Sequence, residues 1–209
     1  VQDTNNILKE ITLTSFGKSV VMEDPYLSEE ITQLLCHMNL CRVNFGADLW
    51  FKVFNEGSKI LGNDFSEQTL LKYLKRIYGK KQRSLIGPLI RTYLEDIALS
   101  KSAILKKDQG KILRLSFSLR EIYIRGYGAW LVSQFKENFP ESFQITLDDF
   151  ERIVGFRRIA LWSEQEYEEA LFAIEQKGFI SVDRQLHPFV LMIKIDPITA
   201  WSSIYDDLI

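Results

Sequence analysis

The sequence predicts a predominantly α protein with small β-hairpins (α+β), a helical bundle carrying winged-helix-like units. Three observations predict it. Apolar residues recur at helical spacing through most of the chain, and alternating apolar runs flank turn residues late in each half. A content of 46% hydrophobic and 12% aromatic residues in 209 supplies a sizeable core, whereas disorder needs fewer apolar side chains or a stronger charge imbalance.

The elements follow in order. Residues 1–24 read as an extended lead-in, with Ile11-Thr12-Leu13-Thr14 alternating as a short strand would. Asp24-Pro25-Tyr26 makes a turn, and Ser28 with Glu29 and Glu30 opens a helix bearing Ile31, Leu34, Leu35 and Met38 on one face. A second helix carries Leu49, Trp50, Val53 and Phe54 and stops near Gly57. Asp64 and Glu67 then stand at capping-box spacing, with Ser66 an equally good cap, ahead of a stripe of Leu70, Leu71, Leu74, Ile77 and Tyr78 that Gly79 ends. The next helix holds Leu89, Ile90, Tyr93, Leu94 and Ile97, with Gly87-Pro88 at its first turn. Ala103 to Leu105, a turn at Asp108-Gln109-Gly110 and Ile112 to Phe117 have the signature of a hairpin.

A long aromatic helix spans roughly 120–138, with Tyr123, Tyr127, Trp130 and Leu131 on one stripe. Gly126 and Gly128 inside it each sacrifice about 1 kcal/mol against alanine, which implies close approach by a neighbour. Asn138 to Glu141, with Pro140, is the best boundary. It divides the chain into 1–139, with a winged-helix-like unit at about 64–117, and 140–209, a carboxyl-terminal winged-helix-like domain. There Leu147 to Val154 is a short helix, and Ser163 with Glu166 forms a capping box for a helix closed by Gly178. Phe179 to Asp183 and Phe189 to Ile195 flank a turn at Gln185-Leu186-His187-Pro188, and a last short helix ends at Ile209. The two units share element order but no aligned repeat.

The net charge is −2 and the pI near 5.8, so a surface for a polyanion must be local. Lys72, Lys75, Arg76, Lys80, Lys81 and Arg83 fall within one short stretch that contains no acid. Helical spacing places Lys72, Lys75 and Arg76 opposite the apolar stripe. Arg91, Lys101, Lys106, Lys107, Lys111 and Arg114 add charge on the next helix and the wing. The candidate nucleic-acid contacts are therefore Lys72, Lys75, Arg76, Lys80, Lys81, Arg83, Arg91, Lys106, Lys107 and Lys111, set against the plainer reading of a solvated helix face. The second unit differs, because Glu164, Glu166, Glu168, Glu169 and Glu175 would repel phosphate and suit contact with protein. Arg157 and Arg158 could touch a phosphate, with ordinary surface charge the blander alternative.

Catalytic signals are sparse. Spacings of one and four among Cys36, His37 and Cys41, with no second ligand pair, predict no metal site. Asp148-Asp149, Glu95-Asp96 and Asp206-Asp207 are neighbours whose side chains diverge on a helix, and no phosphate loop, serine elbow or catalytic cysteine signature occurs. No catalytic residue is assigned and no cofactor is evident; Mg or Mn would enter only with a nuclease. The set Trp50, Phe51, Phe54, Tyr123, Tyr127 and Trp130 could stack on bases, but such stripes are more often core. Two cysteines and no apolar run of membrane-spanning length suit a cytoplasmic protein. A polar start without methionine or signal peptide reads as part of a longer polypeptide.

Phe16-Gly17-Lys18, Asp24-Pro25-Tyr26-Leu27, the leucine-rich helix through Leu34, Leu35 and His37, Trp50-Phe51 and Phe54-Asn55-Glu56 resemble a bacterial domain-of-unknown-function family. The family is numbered four thousand and seven and includes SspB-like proteins of DNA phosphorothioation systems. Leu89-Ile90-Arg91-Thr92-Tyr93 and the Leu147 to Ile195 segment are similar to the same pattern, so the resemblance spans most of the chain through diffuse motifs. It implies a place beside a cysteine desulfurase and ATP-using partners that put sulfur into the DNA backbone, and a link to DNA nicking. The family's amino-terminal Ser-Gly-His-Glu-Thr-Phe run is absent, so no catalytic residue carries over. The expectation is a DNA-associated component of a modification or defence system, with a non-enzymatic scaffold or a winged-helix transcription regulator as alternatives.

Overall fold

In the computed structural model the described residues are 12–79, 83–96 and 98–208, without the side chain of Arg83. The chain is mostly helical with two small antiparallel sheets. Thr12 to Thr14 form no strand, and Ile11 lies outside the described residues. Helix α1 (Ser15–Glu23) starts at once, capped by the Thr14 hydroxyl on the Gly17 N–H. Asp24 organises the following turn by accepting from the backbone N–H groups of Ser28 and Glu29. Helix α2 (Glu30–Leu40) then buries Ile31, Leu34, Leu35 and Met38, although its cap position, Glu29, makes no side-chain capping bond.

The segment expected as one helix near Leu49 is composite. A single turn, α3 (Asp48–Trp50), widens into a π-helical stretch over Phe51–Glu56, followed by α4 (Ser58–Leu61). Next comes a strand the sequence did not reveal, β1 (Asp64–Ser66), leading into α5 (Glu67–Tyr78). Ser66, not Asp64, caps α5. Helix α6 (Arg83–Leu94) begins well before Gly87-Pro88, so Pro88 lies inside it on the exposed side. The buried stripe Ile86, Leu89, Ile90 and Tyr93 starts ahead of the proline, and its packing carries the helix through. The hairpin comprises β2 (Leu105–Asp108) and β3 (Lys111–Arg114). Gln109 and Gly110 both take positive φ, 45° and 80°, as a tight two-residue turn requires.

Helix α7 (Ile124–Asn138) is the central element, packing on α2 and on both helices that close the chain, α10 (Glu164–Gln176) and α11 (Pro197–Ser202). Its glycines do what the sequence implies. A Cβ on Gly126 would lie 2.8 Å from Ile31 Cδ1, and one on Gly128 2.8 Å from the Phe179 ring. Tyr127 and Trp130 are fully buried, worth about 1.5–3 kcal/mol apiece in apolar burial. The remaining elements are β4 (Gln144–Thr146), α8 (Leu147–Val154), α9 (Phe156–Ala160), β5 (Ile180–Asp183) and β6 (Val190–Ile193).

The strands form two three-stranded sheets of like order, β1-β3-β2 and β4-β6-β5. In each, a short first strand pairs with the returning strand of the hairpin, Phe65 opposite Ile112 and Ile145 opposite Leu191. Buried side chains from Ile31 to Tyr205 make one continuous cluster that crosses residues 139–140. Among the described residues no helix is long and apolar enough to cross a membrane.

Candidate functional site

The α5 surface is set by its capping and its core side. The Ser66 hydroxyl accepts the Thr69 N–H at 3.1 Å, starting the helix at the end of β1. Leu70 and Leu74 are fully buried and Tyr73 nearly so. At about 100° per residue, this turns Lys72, Lys75 and Arg76 to the outside, where all three are exposed. None has an ion-pair partner among the described residues. Lys80 and Lys81 lie outside the described residues, and Arg83 heads α6.

The other cations of this unit are arranged differently. Lys106 is exposed on β2 without a partner among the described residues. Lys107 meets Glu67 at 3.0 Å, Lys111 meets Asp64 at 2.8 Å, and Arg91 meets Glu95 at 3.7 Å. Exposed pairs of this kind contribute about 0–1 kcal/mol; their main effect is to offset charge on α6 and the hairpin. The hydrogen bond to Asp64 raises the Lys111 pKa.

Arg114 corrects the sequence reading outright: it adds no surface charge. It shares the inward face of β3 with Ile112 and is 4% exposed. Its guanidinium donates to the carbonyls of Phe54 (2.9 Å), Arg158 (2.7 Å) and Ile159 (3.0 Å) and to the Ser58 hydroxyl (3.0 Å). Burial pulls its pKa down to about 10. With no carboxylate partner among the described residues, this cation is held by dipoles and joins the first unit to α9 of the second.

On α10 the acids are partly committed. Glu166 completes the capping box with Ser163, and Glu175 accepts the Val182 N–H and pairs with Arg184 at 2.8 Å. Glu164 and Glu169 remain exposed. Of the adjacent acid pairs, Asp149 holds Arg152 and Asp207 bridges Arg125 and Lys177. No three of His, Cys, Asp and Glu gather where a metal ion could sit among the described residues.

Cys36 and His37 face different surroundings. His37 is fully buried; its Nδ1 faces the Tyr93 hydroxyl, which also accepts the Trp50 indole N–H at 2.7 Å. Burial, aided by the Arg114 charge, holds the His37 pKa well below its usual value, so the ring is neutral. Cys36 instead lines an apolar pocket of about 630 Å³, with Phe16, Leu27, Leu40 and Leu99 around it and Tyr26 and Phe45 at the rim. Burial pushes its thiol up to about 11. Sequence reading missed this pocket, because its walls come from α1, α2 and the stretch before β2. Most of the aromatic set is core: Phe54, Tyr123, Tyr127 and Trp130 are buried, while Trp50 and Phe51 are half-buried.

The chain matches no known protein family, no curated protein and no solved structure.

Proposed function

We propose that this chain is a DNA-associated protein of a bacterial modification or defence system, holding the phosphate backbone with the outer face of α5. One observation carries the reading. Lys72, Lys75 and Arg76 stand exposed and free of carboxylate partners among the described residues, on a helix whose opposite side is locked into the core. Cations so placed can displace condensed counterions from a nucleic acid. The strand-helix-helix-hairpin course of the first unit, repeated with one added helix in the second, and the 1-3-2 sheet order of both support a winged-helix description. The family resemblance supports phosphorothioation as the setting and nicking as an activity of the intact protein. Two free cysteines suit a reducing cytoplasm.

The test is fluorescence anisotropy on labelled duplex DNA across a salt series. The wild-type chain should bind with affinity falling steeply as salt rises, and Lys72→Glu/Lys75→Glu/Arg76→Glu should lose at least a hundredfold, about 2.7 kcal/mol. Equal binding by that variant would exclude α5 as the contact. Incubation of the intact protein with supercoiled plasmid and Mg²⁺ or Mn²⁺ tests nicking, which open circles would reveal.

A second reading, contact with protein, is favoured by α10. Its exposed Glu164 and Glu169 repel phosphate, and Phe172 stands 58% exposed beside them.

A further inference from the structure

We infer that the nucleic-acid surface continues past α5, across the seam between the two units, and reaches its second foothold through Lys59 and Arg157. The inference rests on the DNA reading above and extends it to a duplex lying over both units. The π-helical stretch Phe51–Glu56 is a wall shared by the two regions. On one flank the Tyr73 hydroxyl donates to the Lys52 carbonyl at 2.6 Å, and a Cβ on Gly57 would press against the same tyrosine. Arg76 follows Tyr73 by three residues, which sets it on the exposed shoulder above this contact. On the other flank Asn55 donates to the Val154 carbonyl at 3.0 Å and accepts the Arg158 Nε at 3.2 Å. Both flanks are thus anchored on the same six-residue π-helical stretch.

The charge on the far flank divides into committed and free groups. Lys52 is held by Glu56 at 2.6 Å and Arg152 by Asp149 at 2.6 Å, while Arg158 is tied to Asn55 and Glu151. Lys59 and the Arg157 side chain have no partner among the described residues. They open into two adjoining depressions that share Arg158, of about 280 and 400 Å³. The second also presents Ser58 and Asn63, groups able to donate to phosphate oxygens. Its one acid, Glu166, is engaged by the Ser163 N–H at 2.7 Å. The arrangement offers phosphates two free cations and neutral donors, and few groups that would read a base.

The experiment is the same salt-series titration with Lys59→Ala/Arg157→Ala, the α5 variant Lys72→Ala/Lys75→Ala/Arg76→Ala, and Lys18→Ala on α1 as control, each checked by thermal melting. The seam variant should lower the salt slope by about two and weaken low-salt binding by about tenfold, with Lys18→Ala unchanged. If the α5 variant loses affinity while the seam variant binds as wild type, the surface is confined to the first unit and the inference is overturned. If the α5 variant binds as wild type, the underlying DNA reading falls instead. Should the double seam variant fold poorly, the single exposed change Lys59→Glu decides, and undiminished binding by it overturns the inference.

Discussion

Residues 64–114 and 144–193 take the same course with different exteriors. Each begins with a three-residue strand whose last residue caps the next helix: Ser66 on the Thr69 N–H, Thr146 on the Asp149 N–H, both at 3.1 Å. Each returns through a hairpin whose second strand sits mid-sheet. The first unit turns cations outward on α5, whereas the second turns acids outward on α10 and inserts the five-residue α9. Caps, strand pairing and buried stripes are demands of the backbone and core, so they recur. The outward faces answer to no such demand, so the two units are free to differ there.

The two units are also joined, and breaking that joint should have the largest effect. Arg114→Ala strips the donor from three carbonyls, two of them across the seam, and should lower stability by about 3–5 kcal/mol in urea unfolding; a loss under 1 kcal/mol would mean the units stand independently. Next in size is the pair of glycines on α7, one facing each half of the core. Gly128→Ala drives a methyl into the Phe179 ring and should destabilise by about 1–3 kcal/mol. Gly126→Ala meets the flexible end of Ile31 and should be milder; the reverse order of melting temperatures would contradict this packing.

His37 on α2, facing Tyr93 of the first unit, supplies a pH signature. Its folded pKa is depressed, so as pH falls through about 6.5 the unfolded chain takes up a proton that the native ring refuses. Stability is therefore full above that value and should fall by about 1.4 kcal/mol per pH unit below it. His37→Phe should flatten melting profiles between pH 7 and 5.5, with His187→Gln as the matched control. The smallest effects sharpen the likeness itself: Ser66→Ala and Thr146→Ala should each reduce stability by about 1 kcal/mol, and a clear inequality would show the equivalent caps differ in weight.

Much of this organisation was legible in the residues. Helix α8, the Ser163–Glu166 box, both hairpins and the meaning of Gly126 and Gly128 follow from local rules. Strands β1 and β4 did not, since three residues show no alternation and exist as strands through distant partners. Arg114 was readable and misjudged: in Lys111-Ile112-Leu113-Arg114, a period of two puts the arginine on the buried side with Ile112. The outward set of Lys72, Lys75 and Arg76 was visible from helical spacing, but the pairing of Lys107 and Lys111 with Glu67 and Asp64 was not. Those partners meet only once β1 lies against the hairpin.

The manner in which Arg114 is held has a bearing on acid tolerance. A joint that depends on an ionised side-chain acid loosens when that acid takes up a proton. The groups gripping Arg114 are three peptide carbonyls and one hydroxyl, none of which changes charge as the medium sours. Acid thus neutralises none of the groups that grip this internal clasp.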